Sequence, residues 1–228
     1  MPPKRTRAER AGISREQILD AALAMADRDG VAALSMRKVG AELGVEAMTL
    51  YHYLPNKEAL LDGMVERVVS QADTGFAEAP WQTVLSGYAR ALRTALLRHP
   101  GALPLVATRP AVTSRTLHTV ERGLAMLCAD GFDLARALDA LNALTMFVVA
   151  HAAWEARSAP RVGIDGPGSA EYLKSLDPEE FPLITAAART SSGTDDRDRF
   201  EFAVRAMIHG FAATAVRAAP AEPVTPAP

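Results

Sequence analysis

An all-α fold in two parts is predicted: an N-terminal three-helix domain carrying a helix-turn-helix, then a larger helical domain. Three observations predict it. Apolar residues recur at helical spacing along most of the 228 residues. No stretch alternates apolar and polar residues as a half-buried strand does. Between Ser35 and Lys57 two short amphipathic helices hinge at Gly44.

Ser14 and Gln17 form a capping box, the serine oxygen and the glutamine side chain each satisfying an orphaned amide, so a helix starts there. Ile18, Ala21, Ala22 and Met25 give it one apolar face, and Gly30 ends it. In the next helix Met36, Val39 and Leu43 share a buried stripe while Arg37, Lys38 and Glu42 face water. Gly44 supplies the left-handed residue at which that helix stops, and Val45 plugs the angle between the pair. From Glu46 to Tyr53 the second helix of the unit has Leu50 as its apolar anchor, which leaves Ala47, Met48, Thr49, Tyr51, His52 and Tyr53 largely outward. A short helix that exposes two tyrosines expects a partner, and a helix-turn-helix points to DNA. Pro55 and Asn56 then break the chain, and Asn56 caps a fourth helix with the stripe Leu60, Leu61, Met64, Val65 and Val68.

Past residue 70, helices are predicted near 81–99, 103–108, 113–129, 133–157, 170–176, 179–189 and 196–217, separated by Gly and Pro. The predicted organisation is a disordered basic arm over 1–12, a helix-turn-helix domain over 13–58, a second helical domain over 59–217 and a disordered Pro/Ala tail over 218–228. Arg161–Pro167, rich in glycine, reads as a mobile loop.

Composition sets the bounds. A chain that is 49% hydrophobic with a formal charge of -2 is an ordinary globular protein, large enough for two cores. Its charge is uneven: residues 1–57 hold nine Lys and Arg against seven Asp and Glu, and the remainder 16 against 20. A mildly basic head on an acidic body suits DNA contact by the head, and Lys4, Arg5, Arg7 and Arg10 of the arm add salt-dependent phosphate attraction. Cys128, the single cysteine, excludes an intrachain disulfide, fits a reducing cytoplasm and reads as a small core residue of a helix. Met1–Arg10 lacks the apolar stretch of a signal peptide. Around Ala137–Trp154 the most apolar helix carries Asp139, Asn142 and His151, which suits a buried bundle helix better than a membrane span, so no membrane partner is expected.

The stretches ILDAALAMADRDGVAALSMRKVGAELGV and TLYHYLPNKEALLDGMVERV, within residues 13–69, resemble TetR-family transcriptional repressors. LRTALLRHPGALPLVATRP and TVERGLAMLCADGFDLARALDALNALTMF resemble the ligand-binding domain of the tetracycline-repressor branch. The first resemblance implies that the N-terminal end of the third helix enters the major groove of double-stranded operator DNA. Ala47, Met48 and Thr49 then face base edges, with Thr49 donating to a base or touching a thymine methyl. Arg37 corresponds to a position that contacts guanine or nearby phosphate, and Tyr51, His52, Tyr53 and Lys57 to phosphate clamps. Each also has a plain reading: Arg37 and His52 as solvated surface residues, Tyr51 as a core aromatic with a wet hydroxyl. Ala47 and Met48 depart from the polar or proline residues of the tetracycline repressors, which bears on operator sequence.

The second resemblance implies a pocket for a small-molecule inducer lined by Met64, Asp73, Tyr88, Leu92, Leu105, Arg109, Val120, Leu124, Leu138, Leu141, Asn142 and Thr145. His151 is a further candidate. Mostly apolar walls with a few polar groups suit a flat or aliphatic organic molecule, although such leucines equally build core and His151 equally reads as a satisfied core histidine. Leu105 stands where the branch has its magnesium-binding histidine, and Trp154 at the aligned position of the carboxylate partner, with Glu155 about 100° further round the helix. Carbon does not ligate Mg²⁺, and no His/Cys/Asp/Glu cluster occurs at ligand spacing, so no metal and no cofactor are expected.

A homodimer is expected, because one head reads only a few base pairs. Phe200, Ala203, Val204, Met207, Ile208, Phe211, Ala212, Ala215 and Val216, with Gly210 and Thr214, form the broad apolar face proposed to pair, together with the 133–157 helix, across the dimer. The expectation is a ligand-responsive repressor. Its rivals are a dimeric DNA-binding regulator without inducer and a helical enzyme, the latter disfavoured because the chain lacks a nucleophile elbow, a phosphate-cradling glycine loop and a paired-carboxylate signature.

Overall fold

Helix after helix follows from caps and stripes in the computed structural model, which describes residues 13–72, 79–109, 113–158, 170–190 and 196–215. The arm over 1–12, the loop Arg161–Pro167, the tail over 218–228, Asp73 and Val216 lie outside the described residues. In chain order the elements are α1 (Arg15–Asp29), a 3₁₀ turn (Val31–Ala33), α2 (Met36–Glu42), α3 (Ala47–Tyr51), α4 (Lys57–Ser70), α5 (Trp81–Arg98), a second 3₁₀ turn (Pro100–Ala102), α6 (Leu103–Thr108), α7 (Ser114–Ala129), α8 (Leu134–Ser158), α9 (Ala170–Lys174), α10 (Pro182–Thr190) and α11 (Asp196–Thr214). Among the described residues there is no strand.

The start and stop signals act as the residues dictate. Ser14 Oγ accepts the Gln17 amide while the Gln17 side chain accepts the Ser14 amide at 2.7 Å, completing the capping box of α1. Ser35 and Asn56 cap α2 and α4 by one bond each, their side-chain oxygens accepting the Lys38 and Ala59 amides. Gly44 sits at φ +68°, a left-handed conformation that a side chain disfavours, and it turns the chain between α2 and α3. Leu50, Leu60, Leu61, Met64, Val65 and Val68 are all buried. Because α4 packs on α1 and also on α5, α6 and α7, the core of the small domain and that of the body form one continuous cluster joined through α4.

In the body α8 is central, packing on α5, α6, α7 and α11. Its buried residues are Ala137, Ala140, Leu144, Val148 and Ala152, one side of the helix. Leu134, Leu138, Met146 and Trp154 of the same helix lie on exposed surface. Leu134–Arg157 is long and apolar enough to cross a bilayer by length and composition, but that apolarity is divided between the core and this exposed stripe. Cys128, expected in the core, is exposed on α7.

Ion pairs stitch the bundle. Arg93 of α5 grips Glu155 of α8 with two hydrogen bonds, at 2.9 and 2.5 Å, and its guanidinium lies 5.2 Å from the Phe200 ring centre. Arg90 grips Glu201 of α11 at 2.8 and 2.7 Å, and that guanidinium holds the Glu201 carboxyl below its ordinary value of 4.5. Burial of Phe200, Val204 and Ile208 against α5 and α8 corrects the expected dimer face. Met207, Phe211 and Ala215 also pack against the chain's own core. On α11 the large exposed apolar residue is Phe202, 68% exposed.

Candidate nucleic-acid interface and ligand cleft

Fully buried Leu50 anchors α3, a helix of only five residues, and its neighbours are thereby turned outward. Met48 is 67% exposed, Tyr51 and His52 are exposed, and Ala47 and Thr49 are half-buried. Tyr53 behaves otherwise. Its ring packs on the core and its hydroxyl donates to the Ile13 carbonyl at 2.8 Å, so the expected phosphate clamp is an internal tie.

The cations around α3 sort themselves by partner. Within the described part of the head, Arg15 pairs with Glu66, Arg28 with Asp29 and Glu42, and Arg67 with Asp20. Arg37 and Lys38 in the first turn of α2 and Lys57 at the start of α4 are exposed and have no ion-pair partner among the described residues. These three charges lie on the helices flanking α3. Lys38 was legible in the sequence only as a solvated residue. The signal that singles it out is the pairing of the other cations, a tertiary property.

Of the thirteen expected pocket residues, four meet around one cleft. Tyr88 of α5, Val120 of α7, and Leu141 and Thr145 of α8 line it together with Leu85, Thr119 and Gly123, which sequence reasoning missed. No lining residue is charged. The Tyr88 hydroxyl lies 3.4 Å from that of Thr145, and burial pushes the Tyr88 phenol above its ordinary value of 10.0. The free volume is about 50 Å³, well under the about 300 to 1,000 Å³ of drug-sized ligand pockets.

The other expected pocket residues, Asp73 apart, are placed elsewhere. Met64 and Leu92 are fully buried core, Leu105 is buried, and Leu124 packs half-buried against the core. Leu138 and Asn142 are exposed on the outer side of α8. Arg109 turns away from the cleft to α4, pairing with Glu58 and Asp62, because two carboxylates one turn apart on that helix offer its guanidinium a fork. His151 is a satisfied core histidine: its Nε2 lies 3.1 Å from the Asp196 carbonyl, and its ring packs on Phe147 and Phe200. Glu155 is engaged by Arg93. Among the described residues no group of His, Cys, Asp and Glu is arranged to hold a metal ion.

Comparison with known proteins bears on both parts. Residues 18–64 match the family described as bacterial regulatory proteins, tetR family, and residues 76–215 match the tetracyclin repressor-like C-terminal domain. The tetracycline repressor protein class D of Escherichia coli is 32% identical over 207 residues, covering 88% of this chain and 90% of that protein. Apo ActR of Streptomyces coelicolor superposes with a TM-score of 0.76 at 27% identity, covering 91% of this chain and 98% of that one. ActR in complex with actinorhodin superposes at 0.74 and 26%, covering 89% and 98%.

Proposed function

Since the chain belongs to the TetR family of DNA-binding, non-enzymatic transcriptional regulators, we propose that it is a ligand-responsive homodimeric repressor released from a palindromic operator by a small, uncharged, mostly apolar organic inducer. The observation that carries the DNA reading is the sorting of charge in the head. Arg15, Arg28 and Arg67 are engaged with carboxylates, while Arg37, Lys38 and Lys57 stand on the helices flanking α3 with no ion-pair partner among the described residues. Laid in a major groove, α3 offers Ala47, Met48 and Thr49 to base edges, and the flanking cations neutralise phosphate on either side. A bidentate contact from Arg37 to guanine O6 and N7 discriminates by about 1 to 3 kcal/mol.

Two heads spaced about one helical turn apart require a dimer. The exposed apolar residues Leu134, Leu138, Met146 and Trp154 of α8 with Phe202 of α11 are the surface for it.

The inducer site is the uncharged cleft around Tyr88 and Thr145, and the ActR–actinorhodin complex supports a small-molecule ligand in a protein of this fold. Moving operator occupancy from 99% to 1% takes about 5.5 kcal/mol of differential ligand affinity. Thermal-shift screening of small molecules, each hit then tested for operator release, examines this reading: stabilising hits that weaken operator binding sustain it. The small free volume of the cleft favours a second reading, a dimeric DNA-binding regulator without inducer. That reading is sustained if no stabilising compound changes DNA retention.

A further inference from the structure

Taken with α4, the head meets the body at a hydrogen bond from Arg98 to the Gln71 side-chain oxygen and at two further charged contacts, which differ in kind. At the end of α1, Asp27 uses both carboxylate oxygens on the body: Oδ1 accepts the Gly101 amide at 2.8 Å, and Oδ2 lies 3.0 Å from His99 Nδ1. The two side chains are 24% and 19% exposed. Here backbone touches backbone, since a Cβ on Gly101 would fall 2.2 Å from the Ala26 carbonyl oxygen and 2.6 Å from the Asp27 amide nitrogen. Neighbouring Ala26 and Ala102 are buried, so the contact has no slack. The second contact is open on its carboxylate side. Arg109, whose side chain is 23% exposed, reaches Glu58, 68% exposed, and Asp62, 42% exposed. Solvated pairs of this kind exchange readily for water and hold little.

From this asymmetry we infer that Asp27, His99 and Gly101 form a fixed pivot on which the head is hung, and that Arg109 with Glu58 and Asp62 is the edge that yields when the head turns. Asp27 is thus a positioning residue for DNA recognition. It contacts no DNA, yet it sets where α3 stands relative to the body. The sequence shows no sign of this, because His99 and Gly101 are 72 and 74 residues from Asp27 along the chain.

The inference rests on the reading that the head turns relative to the body, but its test needs neither inducer nor operator. Native Cys128, exposed on α7, and a second label introduced by Met48→Cys on α3 place two spin labels on body and head. Labelled chains diluted into excess unlabelled protein report the intrachain distance by pulsed electron resonance. The expected result is one narrow distance distribution in the parent, a broadened and shifted one in Asp27→Ala, an intermediate one in Asp27→Asn, and a parent-like one in Arg109→Gln, with helicity retained throughout. The pivot is overturned if Asp27→Ala leaves the distribution unchanged, or if Arg109→Gln broadens it as much. Failure of the repressor reading would instead appear as absent DNA retention by the parent.

Discussion

The Tyr53 hydroxyl donates to the Ile13 carbonyl across 40 residues, tying the end of the recognition segment to the chain that enters α1. Tyr53→Phe removes that donor and keeps the ring in its packing. A stability loss of about 1 kcal/mol is expected in denaturant unfolding, the net worth of one such bond. A change near zero would return the hydroxyl to solvent.

On α11, Phe200 and Phe202 are two residues apart and lie 1% and 68% exposed. Phe202→Glu combined with Met146→Glu is expected to give a helical monomer by sedimentation, because neither side chain is needed in the chain's own core. Phe200→Ala is expected to cost about 3 to 5 kcal/mol of stability through the cavity it leaves. A double variant that stays dimeric would move the interface off these faces.

Glu201 titrates below its ordinary 4.5 because Arg90 favours its charged form. A carboxylate depressed in the folded state adds stability that is present above the unfolded value and lost as pH falls through the folded one. Thermal melting followed downward from about pH 5 should therefore show a smaller loss in Glu201→Gln than in the parent. Equal losses would mean that the pair carries no linkage.

Tyr88 lies on the other side of the scale. Its phenol is raised by burial, so above about pH 10 the unfolded chain releases a proton that the folded chain keeps, and stability falls. Tyr88→Phe should lose less stability on alkaline titration than the parent and should lack the most alkaline phenol step in ultraviolet difference spectra.

Local signals carried the fold. The capping box at Ser14, the left-handed Gly44 and the stripe from Leu60 to Val68 each lie within one or two helical turns, so periodicity and caps were enough to place α1 to α4. What escaped was which apolar side of a helix meets the chain's own core. Phe200 and Phe202 look equally apolar, and only the seat of α11 on α5 and α8 separates them. The cleft was legible in part for the same reason. Tyr88 and Thr145 were placed by resemblance, whereas Arg109 was drawn to carboxylates 47 and 51 residues away and His151 to a carbonyl 45 residues away.

The most direct test is retention of double-stranded DNA taken from upstream of the protein's own gene, in competition with unrelated DNA. The account predicts selective retention by the parent. Thr49→Ala should weaken it roughly 5- to 150-fold, Lys57→Ala should lower the salt slope by about one, and the double variant should lose retention while keeping its helicity. Retention of no fragment by the parent, or equally tight and equally salt-dependent retention by the double variant, would contradict it.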